Sequence, residues 1–233
     1  MASEDQVKLL LIRPSPFAMS CALALNHKGV KFEVVEENLR SKSELLLQTN
    51  PVYKQVPVLH HNGRSISQSL VILEYIQEAW PDPSLLPQTP YERALARFWA
   101  DYINKKFLET GLKLMKRFGE EHETARKDIV QQFETLEKGM IGDGPFFLGS
   151  RMSLADVALV PLVPWMASFE ALGDLKFPDA QQCGRMHRWL AAMRENPNVI
   201  ASVPDSDWLL NSTINVRQYI SEHHPGGLLE GGV

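Results

Sequence analysis

The first eighty residues alternate between patterns typical of strands and patterns typical of helices. Residues 7–12 (VKLLLI) form a continuous apolar run, which predicts a buried strand. Residues 30–37 (VKFEVVEE) alternate apolar and charged positions and predict a half-buried strand. Between them, PFAMSCALALNHKG predicts a helix with Pro16 in its first turn and Gly29 at its end. SKSELLLQTN predicts a short helix that ends before Pro51.

Two short strands and a longer helix complete this first part. Asn62-Gly63, within VPVLHHNGRSIS, is a strong signal for a tight hairpin. The stretch SLVILEYIQEAW predicts an amphipathic helix, whose apolar face carries Leu70, Leu73, Ile76, Ala79 and Trp80. The predicted order of elements is therefore β-α-β-α-β-β-α.

The pattern changes after a proline-rich stretch. Prolines at 81, 83, 87 and 90 predict a linker rather than a regular element. Beyond it the strand signals disappear and apolar residues recur at helical spacing. The chain is thus predicted to contain an α/β domain in residues 1–81, a linker in residues 82–90 and an all-helical domain in residues 91–233.

Local signals mark the ends of some helices in the second domain. Ser153-x-x-Asp156 precedes an apolar run and resembles a capping box, with Asp in place of the preferred Glu. RMHRWLAAMRENP predicts a helix closed before Pro197, and DSDWLLNSTINVRQYI predicts the last helix. The Gly-rich end, residues 223–233, predicts a mobile tail.

Composition limits the classes of function. The 233-residue chain has a net charge of −4, which does not favour binding to nucleic acid or to an anionic membrane. Its apolar runs are short and interrupted, for example by Pro161 and Pro164, so no membrane insertion is expected. MASEDQVK lacks the apolar core of a signal peptide. These features favour a soluble, cytoplasmic protein.

The cysteines and histidines predict neither a disulfide framework nor a metal site. Cys21 and Cys183 are too few for the first and lack ligand spacing for the second. Cys21 is expected to be a small buried apolar residue. His60 and His61 are adjacent, so in a strand they would face opposite sides of the sheet.

Several ordered motifs resemble the plant tau class of glutathione transferases. They are PSPFAM, NHKGVKFEVVEENLRSKSELLLQTNP, VPVLHHNG, SLVILEYI and FWADYI, and the resemblance covers residues 6–222. It implies a two-domain α+β/α fold, in which an N-terminal thioredoxin-like βαβαββα domain precedes an all-α helical bundle. It also implies a cis Val56-Pro57 peptide, glutathione as co-substrate, no metal, a cytoplasmic homodimer and a role in detoxification or stress response.

Ser15 has two interpretations. It suits the N-cap of the first helix, with Pro16 at the first helical position, a role that contributes about 1 kcal/mol. By resemblance, its hydroxyl would also be the catalytic group that stabilises the thiolate of glutathione. Lowering a thiol pKa from about 8.5 to about 6.5 requires about 2.7 kcal/mol. A hydroxyl donor and the positive end of a helix both act in that direction.

The remaining glutathione-binding residues follow from the resemblance. The backbone of Val56 would pair with the cysteinyl part of the tripeptide, in a strand-like manner. Ser69, at the start of the third helix, would hold the γ-glutamyl carboxylate. Lys42 would pair with the glycyl carboxylate, although a solvated lysine fits the sequence as well. Gln55 and Gln68 would flank the tripeptide as amide donors.

The chain departs from the class at four positions where relatives usually carry charged residues. They are Ser20, Gln55, Gln68 and Asn104. In one interpretation, hydrogen bonds replace a charged network around the γ-glutamyl group. In the other, activation of glutathione is relaxed and the pocket serves binding or a specialised reaction. The first is favoured because amides satisfy the same groups.

The resemblance places a second, hydrophobic substrate site between the domains. Its expected lining residues are Phe17, Leu108, Leu112, Trp165 and Trp208. Relatives often carry polar residues at the two leucine positions, so we expect an apolar pocket that disfavours anionic ligands. Periodicity alone leaves open whether these leucines belong to the core.

The expected activity is conjugation of glutathione to hydrophobic electrophiles. Two alternatives use the same cleft. One is a non-catalytic carrier of apolar small molecules. The other is an isomerase or lyase, with or without glutathione.

Overall fold

The first part of the chain folds as a four-stranded sheet covered by three helices. The computed structural model describes residues 5–224 and residue 227, so most of the tail predicted to be mobile lies outside the described residues. The elements are β1 (Val7–Leu11), α1 (Pro16–His27), β2 (Glu33–Glu36), α2 (Glu44–Thr49), β3 (Val58–His61), β4 (Arg64–Ser67) and α3 (Ser69–Ala79). The predicted order β-α-β-α-β-β-α is confirmed. The sheet order is β2-β1-β3-β4, with β1 parallel to β2 and antiparallel to β3.

The central strand β1 supplies apolar side chains to both faces of the sheet. Leu9 belongs to the main core, which also contains Leu23 of α1 and Ile72 of α3. Leu10 belongs instead to a small cluster with Leu46 of α2. Successive strand residues face opposite sides, so the continuous apolar run reflects burial on both faces.

Two local predictions have different outcomes. Asn62 and Gly63 have φ values of 50° and 80°, as the predicted two-residue hairpin between β3 and β4 requires. The edge strand β2 is more exposed than its alternating pattern predicts, since Val34 is 53% exposed. The Val56-Pro57 peptide is cis, as the resemblance implied.

The second part of the chain is helical. A continuous helical run comprises α4 (Pro90–Tyr102), a π-helical segment (Ile103–Leu108) and α5 (Glu109–Lys116). The elements that follow are α6 (Glu120–Gly139), α7 (Leu154–Leu159), α8 (Leu162–Gly173), α9 (Gly184–Glu195), α10 (Pro197–Ile200) and α11 (Ser206–His223). The two-domain fold class is confirmed by this arrangement.

The predicted capping box forms at the start of α7. The Asp156 Oδ2 atom accepts hydrogen bonds from Ser153 N at 2.8 Å and Ser153 Oγ at 2.7 Å. Its Oδ1 atom accepts from Phe147 N and from Trp189 Nε1. Asp156 is fully buried, and this burial raises the pKa of its carboxyl group. Four donors therefore compensate a costly buried carboxylate and join three segments of the helical domain.

The stretch Leu154–Gly173 is long and apolar enough to cross a membrane by length and composition, contrary to the expectation from its prolines. However, 78% of its 18-residue apolar window is buried inside the fold. It packs as the core of the helical domain.

Two contacts position the elements that surround the site. Helices α1 and α7 pack against each other, and their buried residues, among them Leu23 and Val157, belong to one apolar cluster that runs through both domains. Arg217 of α11 donates hydrogen bonds to the Leu114, Met115 and Arg117 carbonyl groups at the end of α5. Those carbonyls have no helical partner of their own, so Arg217 both caps α5 and fixes it against α11.

Candidate active site

Ser15 lies at the N-terminus of α1, where its cap role is confirmed. Its Oγ atom accepts a hydrogen bond from Ala18 N at 3.3 Å, and Pro16 occupies the first helical position. Ser15 is 7% exposed. As an acceptor in the cap, the hydroxyl keeps its own hydrogen available for donation. The same side chain can therefore cap the helix and donate to a ligand.

Ser15 borders a cavity of about 470 Å³ between the two domains. From the first domain it is lined by Ile12, Pro14, Ser15, Pro16, Phe17, Leu39, Lys42, Gln55 and Val56. From the helical domain it is lined by Glu109, Leu112, Lys113, Met115, Lys116, Arg117, Trp165, Ser212, Thr213, Val216 and Ile220. A larger cavity of about 890 Å³ lies beside the linker and contains none of the predicted site residues. The smaller cavity is therefore the candidate site.

Seven of the predicted site residues meet in this cavity. They are Ser15, Phe17, Lys42, Gln55, Val56, Leu112 and Trp165. Asn50 Nδ2 donates to the Gln55 carbonyl at 2.9 Å and so holds the loop before the cis peptide. Among the described residues, no group hydrogen bonds to the N–H or C=O of Val56. The Val56 peptide groups are thus available to a ligand.

Gln68 and Ser69 lie outside the cavity lining, at the N-terminus of α3. Gln68 is exposed and has a positive φ of 76°, while Ser69 is 8% exposed. Ser69 Oγ accepts a hydrogen bond from Asn104 Nδ2 at 2.9 Å. Asn104 is 7% exposed, and its Oδ1 atom has no hydrogen-bond partner among the described residues.

Ser20 does not join this pair. Its hydroxyl donates to the Pro16 carbonyl within α1 at 3.4 Å, and the residue is 1% exposed. Of the four positions that depart from the tau pattern, Ser20 therefore forms its hydrogen bond within its own helix, whereas Asn104 forms one with Ser69.

Two predictions for the hydrophobic site are corrected. Leu108 is fully buried in the main core and does not line the cavity. It lies about 40° from Leu112 around an ideal α-helix, and the boundary between core and cavity falls between the two side chains. Trp208 is 44% exposed and also lies outside the lining. It precedes Ser212, the first α11 residue at the cavity, by one helical turn.

Sequence reasoning missed the cationic residues of the cavity. Lys113, Lys116 and Arg117 all line it. Burial lowers the pKa of Lys116, with Glu109 acting to raise it and Arg117 to lower it further. The expectation of an apolar pocket that disfavours anionic ligands did not take these cations into account. A helical projection would have placed Lys116 beside Leu112, at a spacing of four, and Lys113 beside Lys116, at a spacing of three.

The cysteines take no part in the site. Cys21 is fully buried, as predicted, and burial raises the pKa of its thiol. Cys183 is also buried, and burial raises its pKa as well. No cluster of three or more metal-ligating side chains occurs within residues 5–224.

Comparisons with known proteins agree with this geometry. Residues 5–78 match the glutathione S-transferase N-terminal domain, and residues 119–192 match the C-terminal domain. A probable glutathione S-transferase, parC of Nicotiana tabacum, is 42% identical and covers 94% of this chain and 98% of its own.

Solved structures give the same result. Rice GST1, in complex with glutathione, superposes with a TM-score of 0.85 at 36% identity, over 94% of this chain and 99% of that chain. The tau-class glutathione S-transferase of mango, Mangifera indica, has a TM-score of 0.80 at 34% identity, over 91% and 98% of the two chains. The chain belongs to the glutathione S-transferase family. Within that family it is a member of the plant tau class.

Proposed function

We propose that this transferase binds glutathione with its sulfur at Ser15 and conjugates it to an electrophile held in the 470 Å³ cavity. The observation that carries the proposal is the position of Ser15. Its hydroxyl lies at the positive end of α1 and borders the interdomain cavity. A thiolate placed there would be next to both its activating groups and its reaction partner.

The chemistry required of Ser15 is thiolate stabilisation. A free thiol with a pKa of about 8.5 is only slightly ionised at neutral pH. The Ser15 hydroxyl would donate to sulfur while its oxygen continues to accept from Ala18, and the helix N-terminus adds positive potential. In substitution, the sulfur forms a bond to carbon and the leaving group departs with the bonding electrons. In an addition reaction, the sulfur forms a bond to one carbon of an activated double bond, the π electrons move to give a carbanion, and the carbanion takes a proton from solvent.

The same arrangement supports a binding mode for the rest of the tripeptide. The free Val56 peptide groups suit strand-like pairing with the cysteinyl unit. Lys42, half-buried at the cavity, suits the glycyl carboxylate. Ser69 accepts from Asn104, so its own hydrogen remains for the γ-glutamyl carboxylate. Gln55 and Gln68 flank these groups as amide donors.

We also propose that the protein is a cytoplasmic homodimer. Exposed apolar side chains on the loop after α2 and on α3 and α4 support the dimer. They are Val52 at 78%, Tyr53 at 56%, Val71 at 55%, Tyr91 at 73% and Phe98 at 57% exposed. Side chains of this size are favoured at interfaces between subunits. The two unpaired thiols support a reducing compartment.

The proposal is tested by turnover of glutathione with chlorodinitrobenzene. Wild-type protein should release chloride and form the conjugate, and Ser15→Ala should lower the rate at saturating glutathione about a hundredfold. Thr89→Ala is the matched control, because Thr89 caps α4 in the same way through Glu92 N. Tight binding of glutathione without turnover in wild type would contradict the proposal and favour a carrier. Light scattering during gel filtration measures the molar mass of the protein in solution and so tests for the dimer.

A further inference from the structure

The helical-domain wall of the active-site cavity carries an excess of positive charge. The ionisable residues that line the cavity are Lys42, Glu109, Lys113, Lys116 and Arg117, four cations and one carboxylate. Three of the cations come from α5 and the residue that follows it. This concentration contrasts with the net charge of −4 for the whole chain.

Existing ion pairs leave part of this charge uncompensated. Arg117 Nε lies 3.2 Å from Glu121 Oε2, so one cation is paired with an exposed carboxylate. Glu109 lies close enough to Lys116 to affect its pKa. Within the described residues, neither Lys113 nor Lys116 forms an ion pair. Lys113 is exposed and Lys116 is half-buried, and both residues line the cavity.

A further donor borders the same cavity. Trp165 is 1% exposed, and its Nε1–H has no hydrogen-bond partner within residues 5–224. A buried indole N–H usually has an acceptor. This unmatched donor belongs to a residue that lines the cavity, and it is independent of the lysines.

Other parts of the lining are apolar. Phe17 of α1, Leu112 of α5 and Ile220 of α11 all contribute to it. Apolar surface binds the hydrocarbon or aromatic body of a ligand, while ammonium and guanidinium groups bind carboxylates through charge-assisted hydrogen bonds. The cavity therefore has the two complementary parts that an amphipathic anion requires.

We propose that Lys113, Lys116 and Arg117 form an anion subsite, so that the enzyme selects second substrates with an apolar body and one carboxylate or similar anionic group. This inference rests on the proposed function, since the subsite serves the electrophile. It replaces the expectation that anionic ligands bind poorly.

Matched electrophiles test the selection during turnover. A chlorodinitrobenzoate and its methyl ester both lose chloride when the glutathione thiolate attacks the ring carbon, and they differ in charge. In the double variant Lys113→Met with Lys116→Met, the stems remain and two charges are lost. We expect kcat/KM for the carboxylate to fall about tenfold or more, the effect of one charge-assisted hydrogen bond, with the ester changed less than about twofold.

A matched control separates the effect of the subsite from the effect of losing two positive charges anywhere on the protein. Lys127 and Lys138 are exposed on α6 and lie outside the cavity lining. The double variant Lys127→Met with Lys138→Met loses the same net charge and should retain the wild-type ratio of carboxylate to ester. The KM for glutathione should stay near wild type in both double variants, because Lys42 is intact in each.

A binding assay keeps the test independent of turnover. Calorimetric titration with naphthalenecarboxylate and naphthalenecarboxamide, at saturating glutathione, compares a charged and a neutral ligand of one shape. Wild type should prefer the carboxylate, less so at high salt, and the cavity double variant should lose that preference. Equal affinity for both ligands in wild type, or a preference that survives in the cavity double variant, would overturn the subsite. If neither electrophile reacts in wild type, the proposed function fails while the binding preference still decides the subsite.

Discussion

Asn104 Nδ2 donates to Ser69 Oγ at 2.9 Å, and this hydrogen bond joins the two domains beneath the candidate glutathione site. Ser69 is the first residue of α3, and Asn104 lies in the π-helical segment after α4. The direction of the bond matters, because Ser69 accepts from Asn104 and keeps its own hydrogen for a ligand. A neutral amide therefore fixes the orientation of a hydroxyl at the N-terminus of α3.

Asn104→Ala should weaken glutathione binding more than it slows the chemical step. Without the amide donor, Ser69 can turn its hydrogen away from the γ-glutamyl carboxylate. We expect the KM for glutathione to rise about tenfold, which corresponds to one charge-assisted hydrogen bond of about 1.4 kcal/mol. The rate at saturating glutathione should change less than about threefold. Initial-rate kinetics measure both quantities.

Asn104→Asp provides the directional control. A carboxylate cannot donate, so Ser69 would donate to it and lose its donor role toward the ligand. The new carboxylate would also be buried, because residue 104 is only 7% exposed, and an unpaired buried charge is costly. This variant should bind glutathione at least as weakly as Asn104→Ala. Wild-type KM values in both variants would show that the Ser69 orientation does not matter.

Asp156→Ala should be among the most destabilising single changes in the helical domain. Its carboxylate accepts four hydrogen bonds from Phe147, Ser153 and Trp189 and is fully buried. Removing it leaves buried donors unpaired, so we expect a loss of about 3 kcal/mol or more in the free energy of unfolding. Urea denaturation followed by tryptophan fluorescence measures it. A loss below about 1 kcal/mol would contradict the role of this network.

His27, at the end of α1, should make stability depend on pH in the mildly acidic range. Burial, and secondarily the charge of Lys28, lowers its pKa from the ordinary value of 6.5. The unfolded chain therefore binds a proton at this residue before the folded protein does. This contribution to stability is present above pH 6.5 and is lost as the pH falls toward the lower folded-state pKa.

Urea denaturation of wild type and His27→Gln across this pH range tests the effect. Because glutamine does not titrate, the loss of stability on acidification should be smaller in the variant. Identical slopes of stability against pH in the two proteins would mean that His27 is as easily protonated in the folded state as in the unfolded chain.

Local signals predicted much of the fold. Asn62-Gly63 determines the hairpin through its own backbone preferences, and Ser153 with Asp156 determines a helix start through contacts three residues apart. The exposure of Val34 was not predictable in the same way. It depends on β2 being an edge strand, which is a property of the assembled sheet.

The site was predicted less completely, for a related reason. Ser15, Val56 and Lys42 follow recognisable local motifs and do meet in the cavity. For Leu108 and Lys113, the position in the core or at the cavity depends instead on which face of the helical run turns toward α11. Helical spacing gives the same pattern for core and cavity residues, so only packing separates them.

The central claim is that Ser15 stabilises the glutathione thiolate, and ultraviolet titration of the enzyme–glutathione complex tests it most directly. The thiolate absorbs in the ultraviolet and the thiol does not, so the absorbance reports ionisation without an electrophile. In wild type, bound glutathione should ionise with a pKa well below the value of about 8.5 for a free thiol. In Ser15→Ala, at glutathione concentrations that saturate the site, that pKa should rise by about two, which corresponds to the expected hundredfold loss of rate. Thr89→Ala should titrate like wild type, because it removes the cap of a different helix at a residue that does not line the active-site cavity. An unshifted pKa in wild type, or the same lowered pKa in Ser15→Ala, would contradict the claim and reduce Ser15 to the cap of α1.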